Sequence, residues 1–291
     1  MKRQYSLVKT ECGYLEVSPK PVLEELESHY REKYYQQMSG KYSSEYTESE
    51  LVYFENQAKL CEATLQKYFD NDRSLLDIGC GEGFFSRFFF GNGWKVTCVD
   101  FSIKGIEKKN PQLLGCFEQG DIIQYLNNYS KNKMKYGLLN LDNVLEHVLY
   151  PVDLLNSMMR IMTKNTVARI EVPNDFSAFQ QLLTNSGCTS ETWVSPPEHL
   201  SYFNRDGLVN LFKSVGLKVV SLQADYPIEQ FLLNENSNYW NDRALGKAAH
   251  STRVTCTNYL IEKNILRFID YAEAAADLEF GRILTAYVQL A

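Results

Sequence analysis

The sequence predicts an α/β chain, with a mostly parallel sheet covered by helices on both faces. Three observations lead to it. The run Leu75-Leu76-Asp77-Ile78 is apolar enough for a strand buried on both sides, and Gly79, Gly81 and Gly83 follow it at once. A second strand-like run, Trp94-Lys95-Val96-Thr97-Cys98-Val99, ends in an acid, Asp100, about twenty residues past the turn, where nucleotide-binding α/β units place a carboxylate on ribose hydroxyls. Further apolar runs over 113–119, 136–142 and 167–172 alternate with helical stretches, the order that builds parallel strands joined by crossover helices.

The glycine turn implies close backbone approach to a small ligand, because no Cβ stands in the way. Dinucleotides and S-adenosylmethionine both suit a strand, glycine turn, helix and acid-ended strand, and charge separates them. A pyrophosphate at the helix N-terminus would be opposed by the acids here, Asp77 before the first glycine and Glu82 inside the turn. A sulfonium and an ammonium group are suited by them.

On those residues the sequence resembles the class I S-adenosylmethionine-dependent methyltransferases. Asp77-x-Gly79-Cys80-Gly81-x-Gly83 resembles their first motif and Asp100 their ribose-binding acid. Gly120-Asp121-Ile122 is similar to their adenine-contacting segment, and Asn143-Val144-Leu145-Glu146-His147-Val148 to their motif after the fourth strand. The resemblance is nearest to small-molecule enzymes of the ubiquinone-biosynthesis O-methyltransferase type and to those associated with surface polysaccharides. It implies a Rossmann-like seven-stranded sheet and S-adenosyl-L-methionine as cofactor. The cofactor would be bound by Asp77, Gly79, Gly81, Gly83, Asp100, Phe101, Asp121, Ile122 and Asn143, with Phe101 flanking the adenine. Asp121 has a second reading, as the cap of the helix that follows it.

At 291 residues the chain suffices for one such core with additions. Residues 1–48 are polar and rich in tyrosine, with helical character over 24–37. They read either as a helical flap or as a lid whose phenols, Tyr42 and Tyr46 foremost, reach the ligand. Residues 49–222 form the core, opened by a periodic helix over 50–69. Residues 223–280 fit no core element and read as a helical cap or homodimer element, with helical character over 258–278. Residues 281–291 supply the last, antiparallel strand. Seven cysteines without C-x-x-C spacing oppose a zinc knuckle or disulfide framework. A net charge of −6 disfavours a nucleic-acid acceptor, and no apolar run approaches the eighteen or so residues of a membrane span, so a cytoplasmic protein is expected.

Because the cofactor brings an activated methyl group, the protein must mainly align the acceptor and accept its proton. His147 is the first choice as base and His199 the second, with Glu146 beside them. Glu146, His147 and His199 also resemble part of a divalent-metal set in related enzymes. Asn143, where that set has a glutamate, weakens this alternative, so no metal is expected. The expected acceptor is a polar small molecule such as a sugar, nucleotide-sugar or capsule precursor, methylated on oxygen. The alternatives are N- or C-methylation of a similar metabolite, or a partner subunit that binds the cofactor without turnover.

Overall fold

The computed structural model describes residues 5–22, 25–26, 45–70, 72–129 and 135–291. Its strands are β1 (Ser6–Lys9), β2 (Leu15–Ser18), β3 (Ser74–Ile78), β4 (Lys95–Asp100), β5 (Phe117–Gln119), β6 (Leu138–Asp142), β7 (Val167–Pro173), β8 (Ser201–Tyr202), β9 (Leu217–Ala224) and β10 (Ile283–Leu290). The α-helices are α1 (Glu48–Tyr68), α2 (Phe84–Gly91), α3 (Lys104–Lys109), α4 (Ile122–Tyr129), α5 (Pro151–Met159), α6 (Ala178–Asn185), α7 (Arg205–Ser214), α8 (Gly246–Lys263) and α9 (Ile265–Asp277).

Seven strands form one sheet in the order β5-β4-β3-β6-β7-β10-β9, with β10 antiparallel to both neighbours. All five residues of β3 are buried, which explains the apolar run before the glycines. From β3 the chain winds outward through β4 to β5, then returns to the other side of β3 to lay down β6. The strand order therefore reverses between β3 and β6, and the crevice outside the carboxyl ends of those strands is the natural ligand site. One core cluster joins Ile78, Leu139, Leu141, Ile170 and Leu284 to the helices on one face. On the other face α1 is fixed at its start by a reciprocal capping box between Thr47 and Glu50. Leu60 and Ala63 of that helix pack with Ile261, Phe268 and Ile269 of the C-terminal helices.

Several elements depart from the sequence expectations. The expected strand over 113–119 is only β5, because Pro111–Cys116 forms a 3-10 helix that Pro111 opens and whose Leu113 is buried against the glycine turn. The expected cap helix over 258–278 is two helices that meet at Asn264. This residue is extended, with φ −168° and ψ 99°, so it ends α8, and its side chain caps α9 through the Arg267 amide. Between β7 and β8 lies α6, capped by Ser177. Near the N-terminus β1 and β2 form a hairpin that β8 extends, a small sheet the sequence did not announce because β2 and β8 are far apart along the chain. The expected helix over 24–37 lies almost wholly outside the described residues, as do Tyr30, Tyr34, Tyr35 and Tyr42.

Helix α3 passes so near the glycine turn that a Cβ on Gly105 would stand 2.5 Å from the Gly81 carbonyl oxygen. Gly105→Ala should therefore destabilise the protein by about 1–3 kcal/mol in urea unfolding, the usual cost of overpacking against backbone. It should also weaken binding of S-adenosylhomocysteine in calorimetry.

Candidate functional site

The glycine turn is shaped by two close approaches. Gly79 has φ +77°, and a Cβ there would lie 2.5 Å from Val144 Cγ2, so the turn sits hard against the segment after β6. Gly81 has φ +54°, and the space a Cβ would enter is open, which leaves this backbone accessible to a ligand. Its amide donates to Asp100 Oδ2 at 3.0 Å, and the Ser102 amide donates to Oδ1 at 3.0 Å. Asp100 thus braces the turn while each of its oxygens keeps a lone pair for a ribose hydroxyl. Burial holds its carboxyl above the usual range, against the pull of those amides.

Beside it, Phe101 is 54% exposed and Ile122 is buried. Asp121 Oδ1 accepts from the Gln124 amide at 2.7 Å, so this acid does cap α4, whatever else it touches. Ser102 lies just outside α3, whose flanking residue is Ile103. Tyr46 donates to Glu82 Oε2 at 2.5 Å, which brings one tyrosine of the N-terminal segment onto the glycine turn.

Asp77 is buried beneath the turn. Its carboxylate accepts from Ser86 Oγ at 2.5 Å and from Asn140 Nδ2 at 2.8 Å. Burial outweighs these bonds and pushes its carboxyl up to about 6. The chain of bonds continues across the sheet. Arg169, 3% exposed, donates to Asn140 Oδ1 at 2.8 Å, to Asp142 Oδ2 at 3.2 Å and to Glu171 Oε2, and Thr285 donates to the same Glu171 oxygen at 2.8 Å. Burial, with Asp142 adding repulsion, pushes Glu171 up to about 7 although Arg169 pulls it down.

This polar row floors a cavity of about 390 Å³ that runs from the glycine turn to Asp225 at the end of β9. Tyr53 and Phe54 of α1, Thr257 of α8 and Phe268 of α9 also line it. Gly79, Gly81, Gly83, Asp77 and Asn143 belong to its lining, whereas Asp100, Phe101, Asp121, Glu146, His147 and His199 do not. Sequence reasoning missed Arg169, Glu171, Asp225 and Thr257. A signal existed for the first two: charged residues two apart on one face of an otherwise apolar strand.

The expected base residues form a separate cluster immediately beyond Asn143. The rings of His147 and His199 meet edge to face with centroids 4.8 Å apart. Because the Glu198 carbonyl can only accept, the 2.6 Å contact places the proton of neutral His147 on Nδ1 and the lone pair on Nε2, 3.7 Å from Glu146 Oε1. Glu146 is 1% exposed, and its carboxyl oxygens have no hydrogen-bond partner among the described residues. Burial holds its carboxyl well above the usual range. One ligand atom from each of Glu146, His147 and His199 falls within 4.8 Å of the others, close enough for a single cation.

A family described as a methyltransferase domain matches residues 53–222, more than half of the chain. The chain belongs to that family. It is a class I S-adenosylmethionine-dependent methyltransferase, as the resemblance of its motifs implied, and S-adenosylmethionine is its cofactor. Solved structures agree on the fold. A S-adenosylmethionine-dependent methyltransferase from Archaeoglobus fulgidus is similar over 80% of this chain and 94% of its own, with a TM-score of 0.50 at 19% identity. The plantazolicin methyltransferase BamL, solved with a triazolic desmethylplantazolicin analogue and S-adenosylhomocysteine, is similar over 91% of this chain and 94% of its own, with a TM-score of 0.52 at 12% identity. No curated protein matches the chain. No helix among the described residues is long and apolar enough to cross a membrane.

Two measurements test this geometry. Asp100→Asn should weaken S-adenosylhomocysteine binding by ten-fold or more in calorimetry, since it replaces a two-sided acceptor with a group that must also donate. The methyltransferase should also unfold at lower urea at pH 8 than at pH 5. Asp77, Glu171 and Glu229, pushed up to about 6, 7 and 6, contribute fully only below the unfolded carboxyl range, and that contribution is lost as the pH rises through 6 to 7.

Proposed function

We propose that this methyltransferase moves the methyl group of S-adenosylmethionine to a hydroxyl oxygen of a polar small molecule, and that His147 accepts the hydroxyl proton. The oxygen attacks the methyl carbon, the carbon–sulfur bond breaks, and S-adenosylhomocysteine leaves as a neutral thioether. Alignment behind the methyl group supplies much of the rate, and effective molarities in oriented systems are worth roughly 7–11 kcal/mol. The observation that carries the base assignment is the His147 contact with the Glu198 carbonyl, which leaves the Nε2 lone pair on the side of Glu146. The cluster follows Asn143, a cavity residue, on the same turn after β6. The polar floor of the cavity and the tyrosines around it, Tyr46, Tyr53 and Tyr226, suit a hydroxylated acceptor such as a sugar, a nucleotide-sugar or a surface-polysaccharide precursor.

A second reading is favoured by the proximity of three ligand atoms and by the unpartnered Glu146 oxygens. In it, Glu146, His147 and His199 hold a divalent cation that binds the acceptor oxygen and lowers its pKa. Donors of this mixed carboxylate and imidazole kind suit a borderline transition ion better than magnesium.

A screen of hydroxylated metabolites, followed by S-adenosylhomocysteine release and mass analysis of the product, tests the main reading. With the acceptor so found, His147→Ala should lower kcat by about 10²–10⁴ while the S-adenosylhomocysteine Kd stays within about three-fold. Undiminished turnover would sink the base assignment. Activity lost on chelation and restored by a transition ion would select the second reading.

A further inference from the structure

The cavity is wider than the cofactor's share of it. Asp100 ends β4 and Asp121 follows β5, so the nucleoside acids lie on the outer side of β3, away from β6. From the glycine turn after β3 the cavity extends the opposite way, past β6, β7 and β10 to Asp225 after β9. At about 4.8 Å per strand, four strand positions amount to roughly 19 Å of sheet. With its amino-acid end at the turn and its adenosine toward β4 and β5, the cofactor leaves the far lobe vacant for another molecule.

Among the described residues, that lobe carries more negative charge than it neutralises. Asp142, Glu171 and Asp225 line it, and Arg169 is the cation within the lining. Arg169 is committed to Asp142 and Glu171, while Asp225 has Arg253 at 3.7 Å. Counting these side chains, three acids face two guanidinium groups. Asp225 Oδ1 accepts from the Arg282 and Ile283 amides, and Oδ2 has no hydrogen-bond partner among the described residues. Independently of the acids, Thr257 is 3% exposed, lines the same cavity, and its Oγ1 has no partner either. The buried Thr257 hydroxyl has no partner among the described residues, and Asp225 Oδ2 has only the Arg253 guanidinium at 3.7 Å, beyond hydrogen-bond reach, an arrangement that is costly unless something bonds to it. Repulsion among Asp142, Asp225 and Glu171 adds to the rise of the Glu171 carboxyl, an unfavourable arrangement that a bound cation would relieve.

We infer that the far lobe is the acceptor subsite, and that the acceptor is a polyhydroxylated metabolite bearing a protonated amine, held among Glu171, Asp225 and Thr257 with its reacting hydroxyl toward Asn143. Gln57, Gln223 and Tyr226 supply further partners for its hydroxyls. This rests on the methyl-transfer reading and deepens it by naming the charge of the substrate.

The test measures binding of glucosamine, glucose and glucuronate to the full-length protein saturated with S-adenosylhomocysteine, by ligand-observed NMR. Glucosamine should bind at least ten-fold tighter than glucose, and glucuronate should bind weakest. Asp225→Asn and the near-isosteric Thr257→Val should each weaken glucosamine by five-fold or more while leaving the S-adenosylhomocysteine Kd within two-fold. Equal binding of the three sugars, a preference for glucuronate, or an unchanged glucosamine Kd in both variants would overturn the inference and leave the methyl-transfer reading standing. Failure of the wild-type protein to bind S-adenosylhomocysteine would overturn both.

Discussion

The buried guanidinium of Arg169 ties the two halves of the sheet together. Through Asn140 it reaches Asp77 beneath the glycine turn, and through Glu171 it reaches Thr285 on the antiparallel strand β10. Removing it would leave the Glu171 carboxylate and the Asn140 amide oxygen without their donor in a poorly solvated place, and breaking a buried pair in this way costs about 3–5 kcal/mol. The cation also stands over the ring of Phe85 at 4.9 Å, so α2, which carries the far end of the turn, is positioned against the same group. The cofactor turn and the cavity floor are therefore one polar network, and a shift at either end is felt at the other.

That network explains why acids surround a site whose ligand is a cation. Both oxygens of Asp77 accept a bond, from Ser86 and from Asn140, which holds the turn to the cavity floor. Asp100 is divided, with one lone pair of each oxygen on a backbone amide and one left over. Glu82, Asp142 and Glu171 line the cavity beside the turn, a set of acids that suits a ligand with sulfonium and ammonium groups.

The helices α8 and α9 change the character of the crevice. With α1 they roof the sheet face over β10 and β9, narrowing the groove there into a half-open cavity. Enclosure lowers the dielectric around Glu171 and Thr257 and makes each polar contact in the lobe matter more. The histidine cluster lies outside this enclosure, beside the small sheet of β1, β2 and β8. There the Leu200 amide donates to the Glu146 carbonyl and Tyr202 donates to the His199 carbonyl.

What the sequence determined by itself was everything that depends on neighbours along the chain. The run before Gly79, the glycine turn, the acid closing β4 and the last, antiparallel strand of the seven-stranded sheet all arise from local pattern. From these the fold, the family and the cofactor follow. The pairing of His147 with His199, the row from Asp77 to Thr285, and the meeting of Asp225 with Thr257 were decided only by tertiary structure. These residues are far apart in sequence and become neighbours because adjacent strands stand about 4.8 Å apart, whatever length of chain joins them. Arg169 and Glu171 show the boundary: their alternation within an apolar strand was legible, but their partners belong to other strands.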